Sequence, residues 1–442
     1  MTDLITALDT RDIPALRASL AEHSEAELAD EMVRLDPVQQ ALVFRLLTKG
    51  HALGVFEKLE PVQQAELLEA LRADETARII EEIDPDDRAR LLDEMPAGVA
   101  TRLLERVSPG ERRRTTVLLG YAPESAGRIM TPEYVSVRAS TTAGRAIERI
   151  RRAGIDAETI YVVYVVDDTR RLVGVVSLKD LVLAEPDTPV AELMATDIVT
   201  ATTDEDQEDV ARRLADNDFL AIPVVDREQR LVGIVTVDDA LDILEREDTE
   251  DVERIGGAAP LDRPYLAAGV LTVFRARIWW LFVLFVGLLF TSTVLRAFES
   301  SLEAVVALTF FIPLLIGTGG NAGSQTATTI IRAMAIGEVR LSDIARVVWK
   351  EMRVGLLLGG AMASLGVLLA IPLGRGADLA VVVGLAITSV VMLATFVGSI
   401  LPLTLKRGGL DPAVVSAPFI ATFVDGTGLL LYFTYAHLIM GI

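Results

Sequence analysis

The sequence has 442 residues, which is enough for about three domains of ordinary size. Its charge is divided unevenly, because residues 1–262 carry a net charge of −25 and residues 263–442 a net charge of +4. An acidic surface repels nucleic-acid phosphates, which argues against a nucleic-acid-binding function and favours cations as ligands. The absence of cysteine excludes disulfides, zinc–thiolate sites and thiol catalysis, and three histidines argue against a histidine-rich metal site.

The N-terminal part contains a proline repeat. Prolines recur every 24 residues, at Pro37, Pro61, Pro85 and Pro109, and each follows an acidic residue or a serine. Proline suits the first position of a helix, and the residue before it can cap that helix. The repeat predicts an all-α N domain over residues 1–125, either a superhelical stack of helix pairs or an ordinary bundle. No basic patch precedes an early apolar run, so we expect no cleavable signal peptide.

A second repeat follows the N domain. The segment that begins at Val165 recurs 59 residues later, from Val224. Each copy has the pattern of a strand, a polar turn, a second strand and a capped helix. This pattern resembles a tandem pair of CBS domains, an α/β module that often senses adenine nucleotides or ions. We place CBS 1 over residues 126–190 and CBS 2 over residues 191–245.

The CBS resemblance implies a nucleotide site. The ribose-binding Ser/Thr-x-x-Asp pattern of those domains is matched by Ser177 with Asp180 and by Thr236 with Asp239. Helix capping explains the same pairs equally well, because each pair places a hydroxyl group before an acidic first turn. Asp180 and Phe219 are the candidate nucleotide contacts, and ATP is the candidate ligand.

A charged helix is predicted over residues 246–265, between the CBS pair and the apolar region. Acidic residues recur from Asp242 to Glu253 with interspersed leucines, a pattern that is typical of a solvent-exposed helix. The position of this helix between two functional halves also suits a regulatory linker.

Five apolar segments follow, centred on residues 278–295, 304–331, 354–373, 379–403 and 412–440. A membrane-spanning helix needs about 20 residues, which each segment can supply if the first is extended backwards. Basic residues concentrate before the first segment and in the connections after the second and the fourth, including Arg263, Arg275, Arg346, Lys350 and Lys406, whereas the opposite loops hold only Arg296 and Arg375. The positive-inside rule therefore predicts a cytoplasmic N-terminus and an extracytoplasmic C-terminus.

These observations define the fold class. The chain is predicted to be multidomain, with an all-α N domain, an α/β tandem CBS pair, a linker helix and an α-helical membrane domain. The membrane domain is predicted to hold five transmembrane helices over residues 266–442.

Asp425 is the only acidic residue well inside a predicted span. It lies near the bilayer midplane, where a carboxylate is costly unless it faces water or protein. A structural ion pair is the alternative, but every arginine and lysine lies near the end of a segment. Small residues, among them Ala421, share the helical face of Asp425. We therefore predict that Asp425 is a cation ligand in a pore.

The second apolar segment contains polar and small residues. Gly317, Asn321, Ser324 and Thr328 recur at helical spacing on one face. Such groups within a span are costly unless they line a cavity, so we predict that they line the pore. Small residues also mediate helix packing in membranes, and the two roles are compatible.

A hard divalent cation suits this pore, because Mg²⁺ prefers oxygen ligands and sheds its waters reluctantly. One aspartate per chain is a sparse site, but a symmetric dimer places two carboxylates across its axis. This chemistry does not separate Mg²⁺ from Ca²⁺, Mn²⁺ or Co²⁺.

Three motifs carry a resemblance that covers the whole chain: Pro313-Leu-Leu-Ile-Gly-Thr-Gly-Gly-Asn-Ala-Gly-Ser-Gln325, Asp411-Pro-Ala-Val-Val-Ser416 and Asp425-Gly-Thr-Gly428. The sequence resembles the MgtE family of magnesium channels. This resemblance implies a homodimer in the inner or plasma membrane, whose second and fifth membrane helices line the pore and whose Asp425 binds hydrated Mg²⁺.

The same resemblance implies feedback, in which cytoplasmic Mg²⁺ binds between the N domain, the CBS domains and the linker ("plug") helix and closes the pore. The acidic positions that it implies for regulatory Mg²⁺ are Asp206, Glu208, Asp218, Asp239, Asp242, Glu247, Glu250 and Asp251, with Asp411 at the pore entrance.

Two other functions fit parts of the sequence. A coupled secondary transporter would alternate Asp425 between a proton and an ion, and a nucleotide-sensing membrane scaffold would transport nothing. An enzyme is disfavoured, because the sequence has no nucleophile–base pattern, P-loop or dinucleotide fingerprint.

Overall fold

The computed structural model describes residues 13–35, 37–71, 73–154, 157–261, 265, 268–371, 376–408, 411–412 and 417–441. The chain forms two compact units, residues 1–247 with 262–268 and residues 248–261 with 269–442. Three parts of the sequence analysis lie outside the described residues: the first twelve positions of the predicted N domain, the basic residues Arg263 and Arg375, and motif positions 413–416.

Short helices build the N-terminal part of the first unit. In chain order they are α1 (Ile13–Glu22), α2 (Glu25–Met32), α3 (Pro37–Leu46), α4 (Lys49–Glu57), α5 (Pro61–Ala70), α6 (Ala73–Glu82), α7 (Pro85–Asp93), α8 (Ala97–Leu104) and α9 (Pro109–Leu119). Each proline of the 24-residue repeat opens a helix, because proline needs no amide donor there and its φ is preset. The apolar faces share a core that includes Phe56, Leu67 and Leu91. The predicted helical N domain is confirmed.

Two copies of a three-stranded sheet follow. In the first copy, β1 (Tyr134–Arg138) pairs parallel with β2 (Thr159–Val166), which pairs antiparallel with β3 (Leu172–Ser177). The second copy repeats this order with β4 (Ala201–Thr202), β5 (Ala221–Val225) and β6 (Leu231–Thr236). The accompanying helices are α10 (Ala126–Ile129), α11 (Ala143–Ala153), α12 (Leu178–Leu183), α13 (Val190–Leu193) and α14 (Gln207–Asp216). The tandem α/β prediction is confirmed.

A long helix, α15 (Val237–Ile255), follows β6 directly and is called the linker helix. It begins within the range assigned to CBS 2 and ends inside the range 246–265 predicted for the linker. Its residues up to 247 belong to the first unit, and its last turns, from 248 onwards, belong to the second.

The second unit is helical. It contains α16 (Val270–Ala297), α17 (Glu299–Ala304), a 3-10 helix (Val306–Phe311), α18 (Ile312–Ala335), a 3-10 turn (Leu341–Asp343), α19 (Ile344–Ala370), α20 (Gly376–Arg407) and α21 (Ala417–Met440). Within the described ranges, five helices are long and apolar enough to cross a membrane, which confirms the predicted number. We call α16, α18, α19, α20 and α21 the first to fifth membrane helices.

The third membrane helix begins earlier than the apolar segment that predicted it. The helix starts at Ile344, whereas the segment was centred on residues 354–373. Charged residues such as Arg346 and Lys350 occupy the extra turns. Hydropathy finds the apolar part of a helix, but backbone hydrogen bonding continues into turns whose long charged side chains reach water.

Candidate functional site

Asp425 lies within the fifth membrane helix, between the buried residues Val424 and Gly426. Its Oδ1 atom is buried and has no hydrogen-bond partner among the described residues. A buried carboxylate oxygen without a partner is unfavourable, and within a membrane such a group marks an ion path more often than a structural contact. Asp425 therefore has the character expected of a pore ligand.

The second membrane helix lies against the fifth at the level of this carboxylate. A Cβ atom placed on Gly320 would lie 3.2 Å from Ala421 Cβ and 3.7 Å from Asp425 Oδ1. One turn further along, Ser324 Oγ donates a hydrogen bond to the carbonyl oxygen of Ala417 at 3.1 Å. The absence of a side chain at Gly320 thus permits the two helices to approach beside Asp425.

The residues predicted to line the pore fall into two groups. Gly317, Asn321 and Thr328 are exposed on the surface of this single chain. Ser324 and Ala421 are half-buried where the second and fifth membrane helices meet. A surface of small and polar residues on an otherwise apolar helix is available for water or for a second chain.

The neighbouring glycines serve packing. A Cβ atom on Gly319 would lie 2.5 Å from Val390 Cγ1, and one on Gly323 would lie 2.8 Å from Ile420 Cγ2, whereas Gly317 has no such neighbour within 4 Å. The two roles predicted for this segment, pore lining and helix packing, therefore apply to different residues. Gly319 and Gly323 allow close helix contact, and Gly317 faces open space.

Another acidic residue lies in the membrane helices, at Glu351. It is inside the third membrane helix and accepts a hydrogen bond from Thr326 Oγ1 at 3.3 Å. Its neighbour Lys350 was predicted to lie in a connection, because the apolar segment was taken to start later, and the helix includes both residues. Glu351 has a hydrogen-bond partner, which distinguishes it from Asp425 Oδ1.

Three carboxylates converge in the first unit. Asp86 and Asp87 occupy the first turn of α7, and Asp239 occupies the first turn of the linker helix. One oxygen from each of these side chains lies within 4.8 Å of the other two. Acidic residues suit the first turn of a helix, because they face its partial positive charge. Two helix starts thus place three carboxylates together, and we call Asp86, Asp87 and Asp239 the acidic cluster.

Arg90 offsets part of the charge of the acidic cluster. Its guanidinium donates to Asp87 and, at 3.5 Å, to Asp239. Asp86 Oδ1 is buried and has no hydrogen-bond partner in the described part of the chain. Three carboxylates against one guanidinium leave negative charge in excess, and carboxylate oxygens are the ligands that Mg²⁺ prefers. The residues of the acidic cluster therefore fit a divalent cation.

Burial changes the protonation of this region. Burial, together with the nearby carboxylates of Asp239 and Asp87, raises the pKa of Asp86 well above its ordinary value. Burial also raises the pKa of Asp239 to about 6, although Arg90 acts in the opposite direction. The pKa of Glu158, in CBS 1, rises to about 8 because of its burial and the charges of nearby carboxylates. Protons and divalent cations therefore compete for these oxygens near neutral pH.

Arg88 fixes the helix that carries two members of the acidic cluster. Its side chain is 1% exposed, and it donates to Ile80 O and to Ile83 O at 2.6 Å each and to Thr115 Oγ1 at 3.0 Å. These bonds join α6, α7 and α9. They satisfy carbonyl groups that would otherwise be buried without donors, so the start of α7 is held in place.

The sequence analysis predicted Asp239 but missed Asp86 and Asp87. A signal was present, because Pro85 is the one repeat proline that two acidic residues follow directly. Its meaning depends on a contact between α7 and the start of the linker helix. Sequence spacing does not contain that contact.

The other predicted regulatory residues of the first unit are not members of the acidic cluster. Asp242, one turn after Asp239, lies near it: partial burial raises the pKa of Asp242, and the charges of Arg90 and Asp87 also act on it. Asp206 caps α14 by accepting from Glu208 N at 2.9 Å. Glu247 accepts a hydrogen bond from Gln207 Nε2 at 2.8 Å. The remaining members of the predicted set in this unit are exposed: Asp218 and Asp242.

In the second unit, an arginine joins two of the predicted residues. Arg254 donates to Glu250 Oε2 and to Asp411 Oδ2, at 2.7 Å each. Glu250 and Arg254 are one turn apart on the linker helix, and Asp251 lies beside them. The Arg254–Asp411 ion pair therefore connects the last turns of the linker helix to the segment ahead of the fifth membrane helix.

The two Ser/Thr-x-x-Asp pairs differ in their surroundings. Ser177 Oγ accepts from Asp180 N at 3.0 Å and donates to Asp180 Oδ2 at 2.6 Å, and Asp180 is exposed. Thr236 Oγ1 donates to Asp239 Oδ2 at 2.9 Å, but Asp239 belongs to the acidic cluster. Both hydroxyl groups therefore bond the aspartate of the following helical turn, and the first pair is the more accessible one. Phe219, the other nucleotide candidate, is half-buried.

Comparison with known families covers both units. Residues 312–435 match the family described as divalent cation transporter, MgtE. Residues 23–124 match the MgtE intracellular N domain, and residues 126–187 and 190–246 match the CBS domain. The chain belongs to the MgtE family. This confirms the resemblance seen in the sequence and the prediction of a transport protein rather than an enzyme.

Individual relatives agree with this assignment. The chain is 50% identical over 324 residues to the magnesium transporter MgtE of Thermus thermophilus, which covers 73% of this chain and 72% of that protein. It is 37% identical over 325 residues to the magnesium transporter MgtE of Enterococcus faecalis, with 73% and 71% covered. A crystal structure of the cytosolic domain of the Mg²⁺ channel MgtE in complex with ATP is similar, with a TM-score of 0.52, 43% identity, and 55% of this chain and 99% of that one covered.

Proposed function

We propose that this protein is a Mg²⁺ channel of the cell membrane that mediates magnesium uptake and is closed by Mg²⁺ on its cytoplasmic side. The observation that carries the proposal is Asp425, whose buried Oδ1 has no described partner inside a membrane helix. The names of the relatives support the choice of Mg²⁺ over other divalent cations.

The geometry around Asp425 suits a hydrated ion. Gly320 and Ala421 add little bulk beside the carboxylate, so space remains for water. Mg²⁺ retains its waters readily, and a carboxylate can hold it through them. An isolated carboxylate attracts a divalent cation without enclosing it, which permits release.

We propose that two chains form the pore. The exposed face with Gly317, Asn321 and Thr328 would then meet its counterpart about a two-fold axis. Two copies of Asp425 would place a charge of −2 near one Mg²⁺, so the dimer completes a site that one chain leaves sparse.

We propose that the acidic cluster is a cytoplasmic Mg²⁺ sensor. Asp86 and Asp87 come from the N domain and Asp239 from the start of the linker helix, so the carboxylates meet only when these parts are together. A bound divalent cation would supply positive charge that offsets their repulsion. Because the ligands are assembled in the compact arrangement alone, binding favours that arrangement.

The proposed topology and domain limits follow the sequence. The N domain (1–125), CBS 1 (126–190), CBS 2 (191–245) and linker (246–265) would be cytoplasmic, and the membrane domain (266–442) would end with an extracytoplasmic C-terminus. Basic residues in the predicted inner connections support this orientation.

We also propose that the CBS pair binds ATP, with Asp180 of CBS 1 and Phe219 of CBS 2 as contacts. The exposed Asp180 and the ATP bound in the similar cytosolic domain support this site. In calorimetric titration, Asp180→Ala is expected to lose ATP binding while Asp187→Ala retains it. Equal ATP affinity in both variants would contradict the assignment.

Mg²⁺ flux in proteoliposomes tests the main proposal. Asp425→Ala is expected to lower Mg²⁺ flux to background, because the pore loses its charged ligand. Asp378→Asn is the matched control, since Asp378 is an exposed carboxylate at the start of the fourth membrane helix. Flux should persist without a proton gradient. Normal flux through Asp425→Ala, or an absolute need for that gradient, would refute the proposal.

A further inference from the structure

The end of the linker helix is attached to the membrane domain by a charged contact that uses no metal. Arg254 Nη1 donates to Asp411 Oδ2 at 2.7 Å, and Arg254 Nη2 donates to Glu250 Oε2 at 2.7 Å. Asp411 is far from Arg254 in sequence and lies ahead of the fifth membrane helix. The guanidinium therefore bridges a carboxylate of its own helix and a carboxylate of the membrane domain.

The chain after the linker helix reinforces this contact. Leu261 N donates to Glu253 Oε2 at 2.8 Å, so the segment folds back on the helix end. Ala259 N donates to the carbonyl oxygen of Ala276, in the first membrane helix, at 2.9 Å. The last turn of the linker helix is thus connected both to the first membrane helix and to the approach of the fifth.

The fifth membrane helix carries Asp425, so a restraint on the segment ahead of it affects the pore. We propose that Arg254 is a built-in clasp, which holds the linker helix against Asp411 and restrains conduction before any divalent cation binds. The inference rests on the gating proposed above and adds a second closing interaction to it. Arg254 places a positive charge between the carboxylates of Glu250 and Asp411.

The clasp is a weak restraint, which suits a part that must open. Arg254 and Asp411 are each about one-third exposed, at 35% and 34% of the side chain. Exposed ion pairs contribute at most about 1 kcal/mol, which corresponds to a roughly fivefold change in an equilibrium. Loss of the clasp should therefore raise basal conduction by a few-fold.

The test compares Arg254→Gln with Arg246→Gln, an arginine earlier on the same helix. In proteoliposomes with EDTA on the cytoplasmic side, Arg254→Gln is expected to conduct Mg²⁺ about fivefold faster than wild type, given the strength of exposed ion pairs. Arg246→Gln and the charge-retaining Arg254→Lys should remain within about twofold of wild type, on the same reasoning.

A second measurement reports the contact itself. Because the chain has no cysteine, a spin label on Val252→Cys, a position that is 70% exposed, reports motion of the last turns of the linker helix. In EDTA its mobility should rise with Arg254→Gln and stay unchanged with Arg246→Gln. Unchanged flux or unchanged mobility in Arg254→Gln would each overturn the clasp. Absence of inhibition of the wild type by cytoplasmic Mg²⁺ would instead overturn the proposed gating.

Discussion

Asp425 and the acidic cluster hold carboxylates in opposite ways. Asp425 stands alone in a membrane helix, beside glycine and alanine, and its Oδ1 has no described partner. The cluster gathers Asp86, Asp87 and Asp239 from two helix starts and partly neutralises them with Arg90. A single unpaired carboxylate attracts an ion but encloses it little, which suits passage. A group of carboxylates that comes together only when the N domain contacts the linker helix binds a cation in that arrangement alone, which suits sensing.

After the loss of Asp425 itself, the largest effect should come from filling the space beside that residue. Gly320→Val would place a branched side chain where even a Cβ lies 3.2 Å from Ala421 and 3.7 Å from Asp425 Oδ1. The fifth membrane helix would have to move, so flux is expected to fall at least about tenfold, as overpacking of a close contact is costly. Mg²⁺ uptake in proteoliposomes measures this.

Gly360→Val is the control for that substitution. A Cβ at Gly360 meets nothing within 4 Å, on the third membrane helix. Its flux should match that of wild type. If Gly320→Val conducted normally while folding as wild type, the close approach of the two helices at Asp425 would not matter for conduction.

A smaller effect is expected from pH, and it should come from Asp239 of the acidic cluster and from the nearby Glu158. Burial raises the pKa of Asp239 to about 6 and that of Glu158 to about 8, whereas unfolded carboxyls titrate near pH 4. The folded state therefore binds more protons than the unfolded state. In the absence of metal, the free energy of unfolding should fall as pH rises from about 4 to about 8.

Mg²⁺ opposes this trend, because its ligands must be deprotonated and it therefore binds more tightly at higher pH. Thermal unfolding at pH 6, 7 and 8 without Mg²⁺ measures the pH dependence of stability, and the same measurement with Mg²⁺ gives the stabilisation by the cation. The metal-free Tm should fall with rising pH, and the increase in Tm caused by Mg²⁺ should grow. A stabilisation by Mg²⁺ that is independent of pH would place the cation away from these carboxylates.

The sequence predicted the two regions unequally. Asp425 was identifiable because a lone carboxylate in an apolar run is informative without any tertiary contact. The five membrane helices were also predictable without tertiary contacts, because long apolar runs identify them. Hydropathy nevertheless placed the start of the third helix too late. Asp86 and Asp87 were missed because their role depends on the contact of α7 with the linker helix.

The carboxylates of the linker helix also show that tertiary contacts cannot be predicted from their positions in the sequence. The family resemblance implied that Asp239, Glu247 and Glu250 belong to one regulatory set. The structure separates them, since Asp239 joins the acidic cluster, Glu247 accepts from Gln207 and Glu250 accepts from Arg254. A resemblance to a family assigns acidic positions to a region, but partners from other elements determine which of them share a site.

In the gating proposed above, the acidic cluster determines when the path past Asp425 conducts. The most direct measurement is Mg²⁺ current in membrane patches as cytoplasmic Mg²⁺ is raised, for wild type and for Asp86→Asn/Asp87→Asn/Asp239→Asn. We expect the two proteins to carry equal currents without cytoplasmic Mg²⁺, and wild type alone to close at millimolar levels. Asp168→Asn, which changes an exposed carboxylate, is the control and should close as wild type does. Equal inhibition of wild type and the triple variant would contradict the proposed role of the acidic cluster.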